Sequence, residues 1–155
     1  MEMIHSYQVR AKCTKPRSGV VASDVVPRPI CFSAPPEFLG ESGVWTPEHF
    51  FVASLVTCYV STFSGMSENS KFGFVSLEVD AQGVLEKSAE GWRFTEVKLQ
   101  PALKIAHEED RERATRLLEK AERSCLIARS ISARVTLEPA ITVAPERAPV
   151  LEIAS

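Results

Sequence analysis

The alternation of apolar and polar residues predicts short strands in the first third of the chain. IHSYQVRAKC (4–13) alternates loosely, and VVASDVV (20–26) and PRPICFSA (27–34) follow it as further candidate strands. Prolines are frequent between residues 16 and 36, and they keep these strands short or at a sheet edge. Residues 34–44 are predicted as a loop.

A long helix is predicted to start at Thr46. Thr46, Pro47 and Glu48 supply an N-cap, a proline at the first helical position and an acid in the first turn. The helix is expected to end near Glu68 or Ser70. Its large apolar side chains spread around the circumference, which predicts burial on most faces. A row of small side chains permits close approach of another helix or of a symmetry mate: Ala53, Ser54, Thr57 and Ser61.

The remaining pattern predicts a hairpin, a second helix and a last strand. VSLEVDAQGVLE (75–86) alternates, residues 87–91 make a turn, and WRFTEVKLQ returns. Pro101 is expected to break this strand before ALKIA (102–106) continues it. Residues 107–130 form an amphipathic helix, and residues 131–140 form the last strand. The order β-β-β-α-β-β-α-β is an α+β arrangement. We expect one domain over residues 1–143 and a loosely held tail over 144–155.

Composition excludes several classes of function. The 155 residues are 45% hydrophobic and 25% charged, which is typical of a globular protein with a real core. A net charge of -2 argues against nucleic acid as a partner. No apolar stretch is expected to reach the length of a membrane span, so no membrane partner is predicted. The opening MEMIHSYQVR lacks the build of a signal peptide, so we expect a cytoplasmic protein with reduced thiols.

Cysteines are the candidate chemical groups. None of the four lies in a C-x-x-C pair, and the three histidines lack ligand-like spacing, so no metal site is expected. Cys13 and Cys31 lie in predicted strands and receive no role. Cys58 and Cys125 lie on the inward faces of the two helices. Core packing and redox chemistry both remain open for this pair on composition alone.

The redox reading has defined requirements. A thiolate attacks a peroxide O–O bond and becomes a sulfenic acid, and a second thiol converts that acid to a disulfide. The first thiol needs a lowered pKa, but apolar burial alone raises it. A permanent cation such as an arginine is therefore expected beside it. The sulfurs of Cys58 and Cys125 are expected to lie within disulfide range, or one small side-chain movement from it.

Three stretches together resemble the OsmC/Ohr family of osmotically inducible and organic hydroperoxide resistance proteins. They are TPEHFFVASLVTC (46–58), KPRSGVVASD (15–24) and RATRLLEKAERSCLIA (113–128), within a similarity that covers about residues 6–139. The resemblance implies an OsmC-like fold, in which antiparallel sheets wrap around two central helices in an intertwined homodimer. It also implies thiol peroxidase activity on organic hydroperoxides and, less well, on hydrogen peroxide.

The resemblance also assigns roles. It implies that Cys58 is peroxidatic and Cys125 resolving, and that Glu48 and an N-terminal arginine complete the site. Arg17 is the choice for that arginine, and Arg10 and Arg28 remain as alternatives. In this reading Glu48 holds the arginine, and the guanidinium stabilises the Cys58 thiolate and binds the peroxide. Four aromatic side chains are candidates for an apolar substrate pocket or for plain core packing: Phe38, Trp45, Phe50 and Phe51.

The distance along the first helix favours sites shared between two chains. Ten residues rise about 15 Å, so Glu48 does not reach Cys58 of its own helix directly. Either a long arginine spans the gap, or Glu48 serves a second chain. Because the resemblance implies an intertwined homodimer with sites at the subunit interface, we expect a homodimer with two shared active sites. Leu126 and Ile127 follow Cys125 where many family members have proline, which indicates a general OsmC-like branch.

Two hypotheses of different classes follow. The first is a cysteine peroxidase that is re-reduced by a dithiol such as a lipoylated protein, with no metal, flavin or haem implied. The alternative is a dimeric redox-sensing or ligand-binding module that turns over slowly or not at all. Turnover separates them, because a Cys58→Ser variant abolishes peroxide consumption only if the first is right.

Overall fold

The computed structural model describes residues 3–146 and 149–150. The chain divides into two compact units, one up to Phe51 and one from Val52 onward. The observed elements are mixed α and β, as the sequence predicts. The predicted single domain over residues 1–143 stays a prediction, and part of the predicted tail, residues 147–148 and 151–155, lies outside the described residues.

The N-terminal unit is built on a three-stranded antiparallel sheet. Its strands are β1 (Arg10–Lys15), β2 (Ser18–Ser23) and β3 (Val26–Ser33), in the order β1-β2-β3. The first strand starts six residues later than predicted. The predicted boundary at Pro27 is wrong, because β3 runs through both Pro27 and Pro29. An edge strand tolerates these prolines, since only one side of it needs main-chain hydrogen bonds.

The helix α1 (Pro47–Ser70) has the bounds that the sequence predicts. The Thr46 hydroxyl accepts a hydrogen bond from the His49 N–H at 3.2 Å, and the Thr46 N–H donates to His49 Nδ1 at 3.3 Å. Each of these two side chains thus accepts a hydrogen bond from the main-chain N–H of the other residue at the start of the helix, as in a capping box.

Burial of α1 differs from the expectation. Only one stripe at a spacing of four residues is fully buried: Leu55, Tyr59, Phe63 and Ser67. The prediction of burial on most faces is therefore wrong for a single chain. The small side chains of Ser54, Thr57 and Ser61 lie on an exposed face.

The prediction that no apolar stretch reaches membrane-spanning length is also wrong. Among the described residues, the helix Pro47–Ser70 is long and apolar enough to span a membrane, with a mean hydropathy of 1.4 over a stretch of 18 residues. Ser and Thr residues are scattered along this helix, so its overall hydropathy is not obvious from the sequence. Core helices of soluble proteins meet the same criteria, and Leu55, Tyr59 and Phe63 are completely buried.

The C-terminal unit is a second sheet covered by helices. The hairpin strands β4 (Ser76–Ser88) and β5 (Gly91–Ile105) are antiparallel. Two short strands, β6 (Arg134–Leu137) and β7 (Ala140–Val143), pair in parallel with the other edge of β5. The strand β5 runs through Pro101 to Ile105 without the predicted break, and the continuation after Pro101 is as predicted. Pro101 lies between the stretches of β5 that pair with β6 and with β7, where the missing N–H costs no ladder hydrogen bond.

The second predicted helix is broken in two. It consists of α2 (Arg111–Ser124) and α3 (Leu126–Ser130), with Cys125 between them in an extended conformation. The buried core of this unit joins the α1 stripe to one face of β5 and to one face of α2: Val97, Leu99, Leu103, Ile105, Ala114, Leu118 and Ala121. The two helices are tied directly, because the buried Tyr59 hydroxyl donates to the Leu118 carbonyl at 3.1 Å.

Candidate functional site

The two helical cysteines meet in the C-terminal unit. Cys58 lies half-buried on α1, and Cys125 lies completely buried at the junction of α2 and α3. Their thiols are within hydrogen-bonding reach of each other, and both are free. The prediction that these two sulfurs lie close together is confirmed.

The break at Cys125 determines which groups surround the sulfurs. Cys125 has φ −62° and ψ 118°, which ends α2 and starts α3 at the next residue. The first N–H groups of a helix have no partner inside the helix. Here the N–H groups of Leu126 and Ile127 act on the Cys58 sulfur and lower its pKa, and those of Ile127 and Ala128 act to lower the pKa of Cys125.

The Cys58 thiol has a pKa below its ordinary value. Burial acts to raise this pKa, but hydrogen bonds from the Ile127 N–H, the Cys125 thiol, the Thr62 hydroxyl and the Leu126 N–H together lower it. Thr62 lies one helical turn after Cys58, with Oγ1 4.0 Å from the sulfur. All of these donors favour the thiolate, because each places a positive dipole end on the sulfur.

The Cys125 thiol has a pKa above its ordinary value. Burial is the largest cause, and the hydrogen bond and negative charge of Cys58 raise it further, against lowering by the Ala128 and Ile127 N–H groups. The two sulfurs are therefore unequal, with the lower pKa on Cys58, which is the less buried of the two.

The donors around Cys58 differ from the sequence expectation. A cation was expected, but in the described part of the chain the groups that lower the Cys58 pKa are N–H, thiol and hydroxyl donors. Sequence reasoning missed all of these donors except Cys125. The spacing of four residues in a helix identifies Thr62 in retrospect. The main-chain donors depend on the helix break, which no glycine or proline marks in residues 107–130.

Arg17 lies at the tip of the hairpin between β1 and β2. It is exposed, and its φ of 61° places it in the left-handed region that non-glycine residues rarely adopt. Its guanidinium makes no ion pair or hydrogen bond with any described residue. Of the alternatives, Arg10 pairs with Asp24 at 3.7 Å at the opposite end of the hairpin, and Arg28 lies exposed on β3.

Glu48 lies in the first turn of α1. Its Oε2 atom is buried and has no hydrogen-bond partner among the described residues. No ion pair joins Glu48 to Arg17, Arg10 or Arg28 within residues 3–146. A buried carboxylate oxygen without a donor is costly, so this atom is suited to receive a donor from another molecule.

Aromatic rings gather around the start of α1. Trp45 stacks in parallel on Phe50 with ring centroids 5.9 Å apart, and it meets His49 edge-on at the same distance. Trp45 is still 53% exposed. Phe38 is half-buried in the loop before the helix, and Phe51 is half-buried on α1.

The two remaining cysteines are exposed on the N-terminal sheet. Cys13 lies opposite Gly19, and Cys31 lies opposite Val20. Neighbouring positions of β2 face opposite sides of a sheet, so the two thiols project to different faces. The described residues contain no group of three His, Cys, Asp or Glu side chains arranged to hold a metal ion.

Comparison with known proteins gives a consistent result. Residues 40–140 match the model of a family described as OsmC-like protein. An uncharacterized protein of Bacillus subtilis (strain 168), YmaD, is 27% identical over 109 residues, which are 68% of this chain and 73% of that protein.

Solved structures share the fold. An OsmC-like protein of unknown function from Vibrio cholerae O1 biovar eltor superposes with a TM-score of 0.77 at 21% identity, covering 88% of this chain and 100% of that chain. An organic hydroperoxide resistance protein OsmC from Legionella pneumophila gives 0.74 at 20% identity, covering 92% and 100%. The predicted α+β fold is confirmed.

Proposed function

This chain belongs to the OsmC-like protein family, and we propose that it is a thiol-dependent peroxidase that reduces organic hydroperoxides and, less well, hydrogen peroxide. The observation that carries the proposal is the close pair of Cys58 and Cys125, in which the more exposed thiol has the lowered pKa. The name of the Legionella pneumophila relative, an organic hydroperoxide resistance protein, supports a redox function.

The order of the chemical steps follows from the two unequal thiols. The Cys58 thiolate attacks one peroxide oxygen, the O–O bond breaks, and the alkoxide leaves with a proton as the alcohol. Cys58 is then a sulfenic acid. Cys125 attacks this sulfur, expels water and forms a disulfide, which a dithiol reductant such as a lipoylated protein returns to two thiols.

The electrostatics of the pair favour this sequence of roles. While Cys58 is a thiolate, its charge holds the pKa of Cys125 high and keeps that thiol protonated. Once Cys58 is a neutral sulfenic acid, that charge is gone and Cys125 ionises more easily. Cys125 is completely buried, so an external peroxide reaches Cys58 more readily.

We further propose a homodimer in which Arg17 of one chain serves the thiol pair of the other. The N-terminal unit leaves large apolar side chains exposed, Tyr7 at 92% among them, together with Met3, Ile4, Val9 and Val25. Exposed apolar patches of this kind mark interaction surfaces. The Arg17 guanidinium and the Glu48 Oε2 atom have no partner among the described residues, and they are suited to complete each other across such an interface.

The aromatic group at Trp45 and Phe50 is suited to the alkyl part of a hydroperoxide, because it combines apolar surface with partial exposure. The chemistry asks for no metal, flavin or haem, since sulfur carries both electrons. Re-reduction of the disulfide suits a reducing compartment, and we place the protein in the cytoplasm.

The alternative is a dimeric redox-sensing or ligand-binding module with slow or no turnover. The observation that favours it is that Arg17 and Glu48 are not paired with each other among the described residues of the single chain. A thiol site without its cation reacts slowly. Such a module would still form the disulfide, but it would not consume many equivalents of peroxide.

The test is consumption of cumene hydroperoxide by the full chain with excess dihydrolipoamide. Cys58→Ser is expected to lose at least about 10³-fold in kcat/KM, or about 4 kcal/mol of transition-state stabilisation. Cys31→Ser is the matched control, because it removes an exposed thiol that lies on the N-terminal sheet and outside the thiol pair, and it is expected to keep wild-type activity. Equal consumption by wild type and Cys58→Ser removes the enzyme function.

A further inference from the structure

The turn that carries Arg17 is fastened by a group of side chains outside the thiol pair. Lys15, Pro16, Arg17 and Ser18 connect β1 to β2. The carboxylate of Glu41 contacts both ends of this turn with one oxygen. Its Oε1 accepts a hydrogen bond from the Ser18 hydroxyl at 2.7 Å and pairs with Lys15 Nζ at 2.8 Å.

A buried serine extends this fastening to β3. Ser33 is completely buried at the end of β3, and its hydroxyl is hydrogen-bonded to that of Ser18 at 3.0 Å. The Ser33 oxygen also accepts from the Glu41 N–H at 2.8 Å. We call Glu41, Ser18 and Ser33 the turn clasp. Every contact within it lies inside the N-terminal unit.

The main chain beside the clasp is equally constrained. The Ala34 N–H donates to the Arg17 carbonyl at 2.9 Å. A Cβ atom at Gly40 would lie 1.5 Å from the Ala34 carbonyl oxygen, so only glycine lets the segment before Glu41 approach this closely. Residues on both sides of Arg17 are thus held, and its carbonyl is held as well.

The fixed backbone contrasts with the free side chain of Arg17. Its left-handed conformation costs free energy in a non-glycine residue, and such strain persists only where the surroundings enforce it. Its guanidinium has no partner among the described residues. A glycine would serve a simple turn better, so the turn is built to present the side chain.

We infer that Glu41 is a positioning residue which, through Ser18 and Ser33, holds the Lys15–Ser18 turn so that Arg17 projects toward the thiol pair of a second chain. This inference rests on the proposed function. Glu41 does not touch the substrate or the sulfurs in this account. It acts only through Arg17.

A double-mutant cycle separates positioning from plain stabilisation. Glu41→Ala is expected to lower kcat/KM for cumene hydroperoxide about tenfold in the wild-type background but less than about twofold in an Arg17→Met background. Glu37→Ala removes the same charge from the same loop without touching the clasp, and it is expected to stay at wild-type activity. Glu41→Gln keeps an acceptor for Ser18 and is expected to recover most of the loss.

Hydrogen exchange at the Ala34 amide tests the clasp without reference to activity. Glu41→Ala is expected to speed this exchange about tenfold in both the wild-type and the Arg17→Met backgrounds, because the main-chain carbonyl at position 17 loses its fixed position. Unchanged exchange overturns the inference. Equal losses of kcat/KM in both backgrounds also overturn it, since they show a structural effect that does not pass through Arg17.

The failure of the proposed function is distinguishable from the failure of this inference. If wild type consumes no more peroxide than Cys58→Ser, the peroxidase proposal fails. The four proteins of the cycle, which are wild type, Glu41→Ala, Arg17→Met and the double variant, are then compared by the rate at which iodoacetamide alkylates Cys58. Slower alkylation in Glu41→Ala only when Arg17 is present upholds the positioning role, and equal rates in all four proteins overturn it.

Discussion

The two units carry two cysteines each but differ in what they do with them. In the C-terminal unit, Cys58 and Cys125 are brought together by two helices and a helix break, and main-chain donors surround them. In the N-terminal unit, Cys13 and Cys31 are exposed on opposite faces of a sheet. Position in the fold, rather than the presence of a thiol, separates a close pair of sulfurs from two exposed thiols on opposite faces of a sheet.

The units also differ in completeness. The C-terminal unit has its own core, and its thiol pair needs no group from elsewhere to be formed. The N-terminal unit fixes the Arg17 turn carefully, yet it leaves the Arg17 guanidinium and one Glu48 oxygen without described partners. Both sulfurs of the pair lie in one chain, whereas we propose that the cation which serves them comes from a second chain.

The largest effect that sharpens the comparison is expected from Cys125→Ser. Without the resolving thiol, the Cys58 sulfenic acid is not converted to a disulfide, so excess peroxide drives it to the sulfinic acid, about 32 Da heavier than the thiol. Sustained turnover with a dithiol is expected to stop. Peptide mass spectrometry after peroxide treatment measures the modification.

Cys13→Ser is the control for this experiment, because it removes a thiol of the other unit. It is expected to leave Cys58 protected and turnover unchanged. If Cys58 resists overoxidation in Cys125→Ser as well as in wild type, another group resolves the sulfenic acid and the role of Cys125 is wrong.

The second effect concerns the apolar side chains of the two units. Phe63→Ala is expected to lower the free energy of unfolding by about 3–5 kcal/mol, because Phe63 is completely buried and packs edge-on against Phe74 at 5.4 Å. Tyr7→Ala is expected to change it by less than about 0.5 kcal/mol at dilutions where chains are separate.

Denaturant unfolding measures both variants, and analytical ultracentrifugation measures their association. Tyr7→Ala is expected to weaken the dimer, because its exposed ring is available to a second chain. A Tyr7→Ala protein that unfolds as readily as Phe63→Ala, with unchanged association, would show that the exposed ring belongs to an intramolecular core.

The smallest effect addresses the main-chain donors. Leu126→Pro removes one N–H from the Cys58 sulfur and is expected to raise the Cys58 pKa. Proline suits the first position of a helix, and Cys125 already has the extended conformation that precedes proline. The Leu126 side chain is 68% exposed, so little packing is lost.

The pH dependence of alkylation by iodoacetamide measures this pKa, since the thiolate is the reactive form. A raised pKa moves the midpoint upward and slows alkylation at pH values below it. Leu126→Ala, which keeps the N–H, is expected to match wild type. An unchanged midpoint in Leu126→Pro would show that this donor does not stabilise the thiolate.

Local sequence signals predicted the parts of the fold that depend on local chemistry. Thr46, Pro47 and Glu48 located the start of α1, and alternation located the β4–β5 hairpin. The strand β7 was missed because it is short and follows Pro139, and its pairing with β5 is a long-range contact. The path of β3 through two prolines depends on its place at an edge, which the sequence does not state.

The site divides in the same way. The resemblance identified Cys58 and Cys125, and the structure brings them together. The N–H donors of Leu126 and Ile127 were not predictable, because nearly every residue carries a main-chain N–H. Only the helix break at Cys125 directs these two toward the sulfur, and no glycine or proline marks that break in the sequence. The turn clasp was missed for a similar reason, since Ser18, Ser33 and Glu41 are distant in sequence and common in type.

The most direct test of the central claim is peptide mass spectrometry of the full chain after one equivalent of cumene hydroperoxide. The account predicts a bond between Cys58 and Cys125 within one chain, with a loss of about 2 Da, while Cys13 and Cys31 stay as thiols. A disulfide that involves Cys13 or Cys31, or Cys58 left unmodified while the peroxide remains, would contradict it.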